Sequence, residues 1–174
     1  MNSKAIIIAL FQIGGGLILG LIILFSCFKI IRFLAKKRYK IEDFNTSFAL
    51  VTGSILFAVG YFMTSIIEPI ITTFRQLIKQ EPALGTVILK GAGYMLLYFG
   101  ITTLLSFIVI LISYLLFTLF TTNINEAREI KNNNIAIGII LGVVIIVMAL
   151  LVKDGVVMLT DSLIPFPALP KSIG

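Results

Sequence analysis

The 174-residue chain has no histidine and a single cysteine, Cys27. It therefore cannot build a Cys/His zinc site, a c-type haem attachment or a Cys–His nucleophile, and a lone thiol forms no internal disulfide. Cys27 reads most simply as a small apolar residue in a helix. Charge is scarcer still. Charged residues make up 13% of the chain, against roughly 25% in a soluble domain, and hydrophobic residues 59%. Four stretches carry no charge at all: Ala5 to Phe28, Phe44 to Ile67, Gly91 to Asn125, and Asn132 to Val152.

A hydrocarbon core about 30 Å thick is crossed by about 20 apolar helical residues. Inside it every backbone N–H and C=O must be satisfied within the protein, so each stretch is predicted to be a helix. The first is too long for a signal-peptide core of about 7–15 residues, no A-x-A-like site follows it, and its main positive charge lies after it rather than before. The length leaves room for one membrane unit spanning 1–174 and none for a soluble catalytic domain.

No ionisable group lies deep in any run; Glu68, Lys153 and Asp154 fall at run ends. Proton- or ion-coupled transport normally needs such groups. An enzyme would need a nucleophile with its base, or a metal with ligands, and neither constellation is present. The chain is accordingly read as non-enzymatic, with no cofactor and no metal. Hydroxyls in the runs are expected to bond back to the preceding helical turn. Gln12 stands apart, because an amide in lipid needs a partner on another helix.

What charge there is clusters. The net +6 reads not as a nucleic-acid signal but as a topology signal and a contact with anionic lipid headgroups. Lys29, Arg32, Lys36, Lys37, Arg38 and Lys40 follow span one, with Arg128 and Lys131 between spans three and four. The positive-inside rule then places both of these loops in the cytoplasm and both termini outside it. Lys36, Lys37, Arg38 and Lys40 are the expected headgroup contacts. Lys90 reads as an interfacial anchor whose stem reaches the headgroups.

Small residues mark the packing faces. Gly16 and Gly20 form a small-xxx-small pair in span one, Ala49, Gly53 and Gly60 a stripe in span two, and Gly138 and Gly142 a pair in span four. Such faces let neighbouring backbones approach closely. Span three runs uncharged from Gly91 through Phe120, about 45 Å of helix at 1.5 Å per residue; it must tilt, protrude or bend, with Gly100 a candidate bend.

A shift of 89 residues places Asn45 on Asn134, Ala49 on Gly138, Gly53 on Gly142 and Gly60 on Ala149. Two helices per copy imply parallel repeats, about 5–67 and 91–152. Asn45 and Asn134 are expected to cap spans two and four, with Asn132 and Asn133 competing for the second cap; the alternative is a polar ring at the cytoplasmic mouth of a bundle. The segment 70–80, bounded by Pro69 and Pro82, has apolar residues at helical spacing and is predicted to be an amphipathic interfacial helix, and 156–164 is read likewise. The fold class is thus an all-α membrane protein with four transmembrane helices as two parallel two-helix repeats, plus short interfacial helices.

Asn133-Asn-Ile-Ala-Ile-Gly-Ile-Ile-Leu-Gly142, after Glu129-Ile130, resembles the repeat of YjfL-like bacterial membrane proteins, a family classed as a domain of unknown function. Asn45 to Gly53 is similar to a first copy, departing at Thr46-Ser47-Phe48, where a more apolar stretch is expected. Gly155 to Pro167 resembles the family's tail. The resemblance implies a multi-pass inner-membrane protein, with some members near phage-shock-type membrane-stress proteins, and supplies no catalytic residues. The leading expectation is an accessory or partner-binding component of envelope maintenance or membrane-stress response, with a membrane-stress partner or further copies of itself as binding partners. The alternative is a small oligomeric channel or permeability module.

Overall fold

The helices expected from backbone satisfaction in hydrocarbon are present in the computed structural model, which describes residues 3–41, 44–122 and 124–165, without the side chains of residues 3–5, 38 and 39. Six α-helices follow in order: α1 Ser3–Tyr39, α2 Thr46–Met63, α3 Ile67–Gln80, α4 Leu84–Phe120, α5 Glu126–Lys131 and α6 Ile135–Asp161. No strand occurs among the described residues. Four helical stretches are long and apolar enough to cross a membrane: Ile6–Lys37, Thr46–Gln80, Leu84–Phe120 and Ile135–Asp161. That pattern is the one of a multi-pass membrane protein.

Three element boundaries differ from the sequence reading. The polar connection after span one is mostly helix, because nothing in Lys29–Tyr39 breaks one; α1 ends at Lys40, in the left-handed region at φ 52°. The amphipathic segment does not stand apart from span two. A single 3₁₀ turn, Thr64–Ile66, joins α2 to α3, and Pro69 sits inside the first turn of α3 rather than bounding it. A proline there removes no helical hydrogen bond, since the first N–H groups of a helix have no partner within it. The apolar face of α3 is buried through Ile70, Phe74 and Leu77 and packs on α4. The segment predicted as a second interfacial piece at 156–164 begins as a continuation of α6, with Val156 and Thr160 buried. No residue that breaks a helix precedes Pro165, so the ladder runs on past Lys153 and Asp154.

The core lies in two clusters. One joins α2, α4 and α6 through Phe48, Phe62, Val109, Leu141, Ile145 and Ala149. The other joins α3 and α4 through Phe74, Met95, Tyr98 and Phe99, with Ile8 of α1. At Gly91 of α4 an added methyl would fall within the Phe74 ring, so glycine lets that ring lie flat on the helix. The buried Thr73 and Tyr98 hydroxyls are 2.7 Å apart and bonded to each other. The four spans are not equally packed. In an apolar 18-residue stretch of each span, 39%, 33% and 33% of the residues are buried in the second, third and fourth, against 6% in the first.

Candidate functional site

The most bonded polar region lies where α2 and α6 begin. A helix start leaves four N–H groups without intrahelical partners. Asn45 precedes α2 in extended conformation, and its Oδ1 accepts from the Phe48 N–H at 2.8 Å. The Ser47 N–H, a second unpaired donor of the same turn, is taken by Asn133 Oδ1 at 3.0 Å, from the far end of the chain. Asn45 Nδ2 in turn donates to the carbonyls of Ile130 and Lys131 at 2.9 and 3.2 Å, which closes the C-terminus of α5. Ser47 Oγ donates to the Asn134 carbonyl at 2.9 Å. These four bonds join segments 85–87 residues apart. They form a clasp that fixes how α2 and α6 lie along each other.

Asn133 fits this role because of how α5 ends. It adopts φ 59°, a left-handed conformation that Asn tolerates better than most residues. Its N–H bonds to the Ile130 carbonyl, and the Asn134 N–H to the Glu129 carbonyl, at 3.1 and 2.9 Å. That pair of bonds is the Schellman motif. It leaves the Asn133 side chain facing the start of α2. Asn134 holds the position before α6, but its side chain makes no capping bond; its Nδ2 donates instead to Glu129 Oε2 at 2.7 Å. Asn125 caps the short α5 by accepting from the Arg128 N–H. The buried Glu126 carboxylate is bonded by the Thr121 hydroxyl.

Below the clasp the small residues divide. A methyl placed on Gly138 would lie 2.6 Å from Ser47 Oγ, 2.9 Å from its carbonyl oxygen and 3.0 Å from its Cα. One placed on Gly142 would lie 2.5 Å from Ser54 Oγ. These two glycines therefore admit α2 against α6. Gly53, Gly60, Gly16 and Gly20 have nothing within 4 Å of that point, and Ala49 is half-buried. The matching stripe of α2 faces away from this contact.

One face of α1 carries an amide without a partner among the described residues, beside an exposed outer side. Gln12, Gly16 and Gly20 follow one another at four-residue spacing and so share one face. Gln12 is half-buried and forms no hydrogen bond among the described residues. Large apolar side chains beside it, including Ile13, Leu17 and Leu21, are more than half exposed. Cys27, by contrast, is buried against the bundle. The expected headgroup residues Lys36, Lys37 and Lys40 are all exposed; the Arg38 side chain, with Glu42, Asp43 and Lys171, lies outside the described residues. Lys37 Nζ stands 5.3 Å from the centre of the Phe33 ring. Lys90 pairs with Glu81.

Ser54, Thr103, Ser106, Ser113 and Thr160 bond back to carbonyls four residues earlier. Buried Thr52, Ser65 and Thr102 hydroxyls have no hydrogen-bond partner among the described residues. No group of three His, Cys, Asp or Glu placed to hold a metal ion occurs among them either.

The clasp residues were partly legible. Asn45 stood out by its place before an apolar run. The roles of Ser47 and Asn133 were missed. Their signals were the polar Thr46-Ser47 at the start of an apolar run, and three Asn in a row after a short charged segment.

A family model described as Domain of Unknown Function (DUF350) matches residues 3–156. No curated protein and no solved structure matches the chain.

Proposed function

We propose, for a chain that belongs to the DUF350 family, a non-catalytic role: it binds another membrane protein through the face of α1 that carries Gln12, Gly16 and Gly20. One observation carries this reading. Gln12 presents an amide within an apolar run and has no partner among the described residues, while Gly16 and Gly20, one and two turns further on, leave open space beside it. An unsatisfied amide in hydrocarbon is costly, and a second helix seated on the glycines brings donors and acceptors within its reach. Gly in a helix also costs about 1 kcal/mol relative to Ala, a cost with no return inside this chain at these two positions.

The finer reading is a YjfL-like accessory protein of the bacterial inner membrane, serving envelope maintenance or membrane-stress response, with both termini outside the cytoplasm. The family resemblance and the basic end of α1 support it. The clasp supports a static scaffold, since its amides and hydroxyls are engaged in capping. The channel alternative draws no support from the groove between α1, α2, α4 and α6, whose lining is apolar.

The test uses Ile13→Cys, exposed at the edge of the same face, while native Cys27 is buried. Oxidative or bifunctional cross-linking in native membranes is expected to trap one protein of different mass, and Gln12→Leu is expected to abolish that product. No product from Ile13→Cys, or one indifferent to Gln12→Leu, refutes the reading. A product of twice the chain mass would make the partner a second copy.

A further inference from the structure

An apolar groove of about 340 Å³ lies at the end of the bundle where α1 finishes and α2 and α6 begin. Its floor is buried Ile41, Ile130, Leu141 and Ile145; its mouth is Ile30 and Leu34 of α1 facing Leu111 of α4, all exposed. The volume falls in the range of about 300–1,000 Å³ typical of small-molecule sites. A cavity with such walls stays dry and accepts hydrocarbon.

The rim has the opposite character. Lys40 adjoins Ile41, Arg128 and Lys131 flank the lining residues Ala127 and Ile130, and Lys37 stands one turn beyond Leu34. Helices α1 and α5 touch, which brings the four cations to one end. All four are exposed, and none pairs with a carboxylate among the described residues. The nearby acids among the described residues are otherwise engaged: Glu126 is bonded by Thr121, and Glu129 accepts from Asn134.

We propose that this groove is a binding site for one anionic phospholipid, with an acyl chain between α1 and α4 and the phosphate against the rim cations. The apolar slot selects a chain. The cations select the charge, at the depth where headgroups lie. The site is separate from the Gln12 region because Ile30 and Leu34, although in phase with Gln12 and Gly16 on α1, lie 18 residues further on, about 27 Å along the helix at 1.5 Å per residue.

The test is native mass spectrometry of the full chain released from detergent, with phosphatidylglycerol or phosphatidylcholine of identical chains added in turn. The expected result is one phosphatidylglycerol retained per chain, about tenfold more tightly than phosphatidylcholine, a step of about 1.4 kcal/mol. The triple variant Lys37→Gln, Arg128→Gln, Lys131→Gln is expected to bring the ratio near one. Val51→Phe, filling the groove, is expected to lower retention of both lipids at least fivefold. Should that variant fail to fold, Leu111→Trp blocks the mouth from the lipid side, where bulk is tolerated, and is expected to do the same. Equal retention of the two lipids overturns the proposal. So does a preference that survives the triple variant, retention unaffected by the blocking variant, or competition by glycerol phosphate equal to that of the intact lipid. A dimer carrying no lipid would give the groove to a second copy and overturn it too.

Discussion

Gly138 and Gly53 are both helical glycines in membrane-spanning segments, and their replacement by alanine should have opposite effects. At Gly138 the new methyl meets Ser47 Oγ at 2.6 Å, but also the Ser47 carbonyl oxygen at 2.9 Å and Cα at 3.0 Å. The hydroxyl can rotate away; the backbone cannot, so α2 and α6 must separate. Overpacking of this kind costs about 1–3 kcal/mol. Displacing Ser47 Oγ also threatens its bond to the Asn134 carbonyl, worth about 0.6 kcal/mol for an interhelical bond in a membrane. At Gly53 nothing lies within 4 Å, and alanine gains up to about 1 kcal/mol of helix propensity. At Gly142 the only close atom is Ser54 Oγ at 2.5 Å, with Ser54 Cβ next at 3.4 Å. Gly142→Ala should therefore be fully rescued by Ser54→Ala, whereas Ser47→Ala should rescue Gly138→Ala only in part. Thermal unfolding in one mild detergent, followed by helicity and by loss of the monodisperse peak, reads the five variants against the parent. At about 2–4 °C per kcal/mol for a chain of this size, Gly138→Ala should melt about 2–12 °C below the parent and Gly53→Ala at or above it. Equal melting of Gly138→Ala and Gly53→Ala would refute the placement of α6 on α2. Complete rescue by Ser47→Ala would show that the contact is made by side chain alone.

Substitutions centred on Asn133, Tyr98 and Gly91 test neighbouring parts of the argument, the first two in the same assay. Asn133→Ala removes the acceptor for the Ser47 N–H and places a Cβ-bearing residue without a polar tip at φ 59°; it should cost about 2 kcal/mol, the sum of a lost cap and a left-handed penalty. Asn133→Gly keeps the backbone conformation and should cost about half as much, so equal losses would count against the left-handed penalty and an Asn133→Gly variant as stable as the parent would count against the cap. Tyr98→Phe leaves the buried Thr73 hydroxyl without its 2.7 Å partner and should destabilise by about 1–3 kcal/mol; adding Thr73→Val should restore most of that, and no restoration would argue against the pair. Gly91→Ala drives a methyl into the Phe74 ring and should loosen α3 from α4, seen as faster amide exchange in Ile67–Gln80 with α6 unchanged; protection that stays at the parent level would contradict the packing.

The spans, their helical state and the start of α2 were legible because they follow from local rules: apolar length, backbone satisfaction and an Asn before an apolar run. Boundaries were less so. Pro69 read as an end, yet a proline in a first turn is compatible with helix, and the 3₁₀ turn at Thr64–Ile66 leaves no compositional mark. The second cap was read at Asn134 because it aligns with Asn45. Asn134 does stand at the N-cap position of α6, but its side chain bonds Glu129, and the Asn at 133, turned by the end of α5, serves the start of α2 instead. The packing faces were the least legible. A stripe of small residues defines a face of its own helix and says nothing of which neighbour, if any, occupies it.

The unequal use of the two stripes has a local cause in the clasp. The Asn134 carbonyl accepts two bonds: the Gly138 N–H of its own helix at 3.2 Å, and Ser47 Oγ from α2 at 2.9 Å. A serine bound to that carbonyl must stand beside the residue one turn on, in the space that residue's Cβ would fill. Position 138 must then be glycine for α2 to seat. The corresponding carbonyl, Asn45, accepts the Ala49 N–H at 2.9 Å and receives no hydroxyl among the described residues, so alanine fits at position 49. The same Asn-x-x-x-small pattern therefore marks a helix–helix contact in one place and an unused face in the other. What separates them is Ser47, a residue outside the pattern.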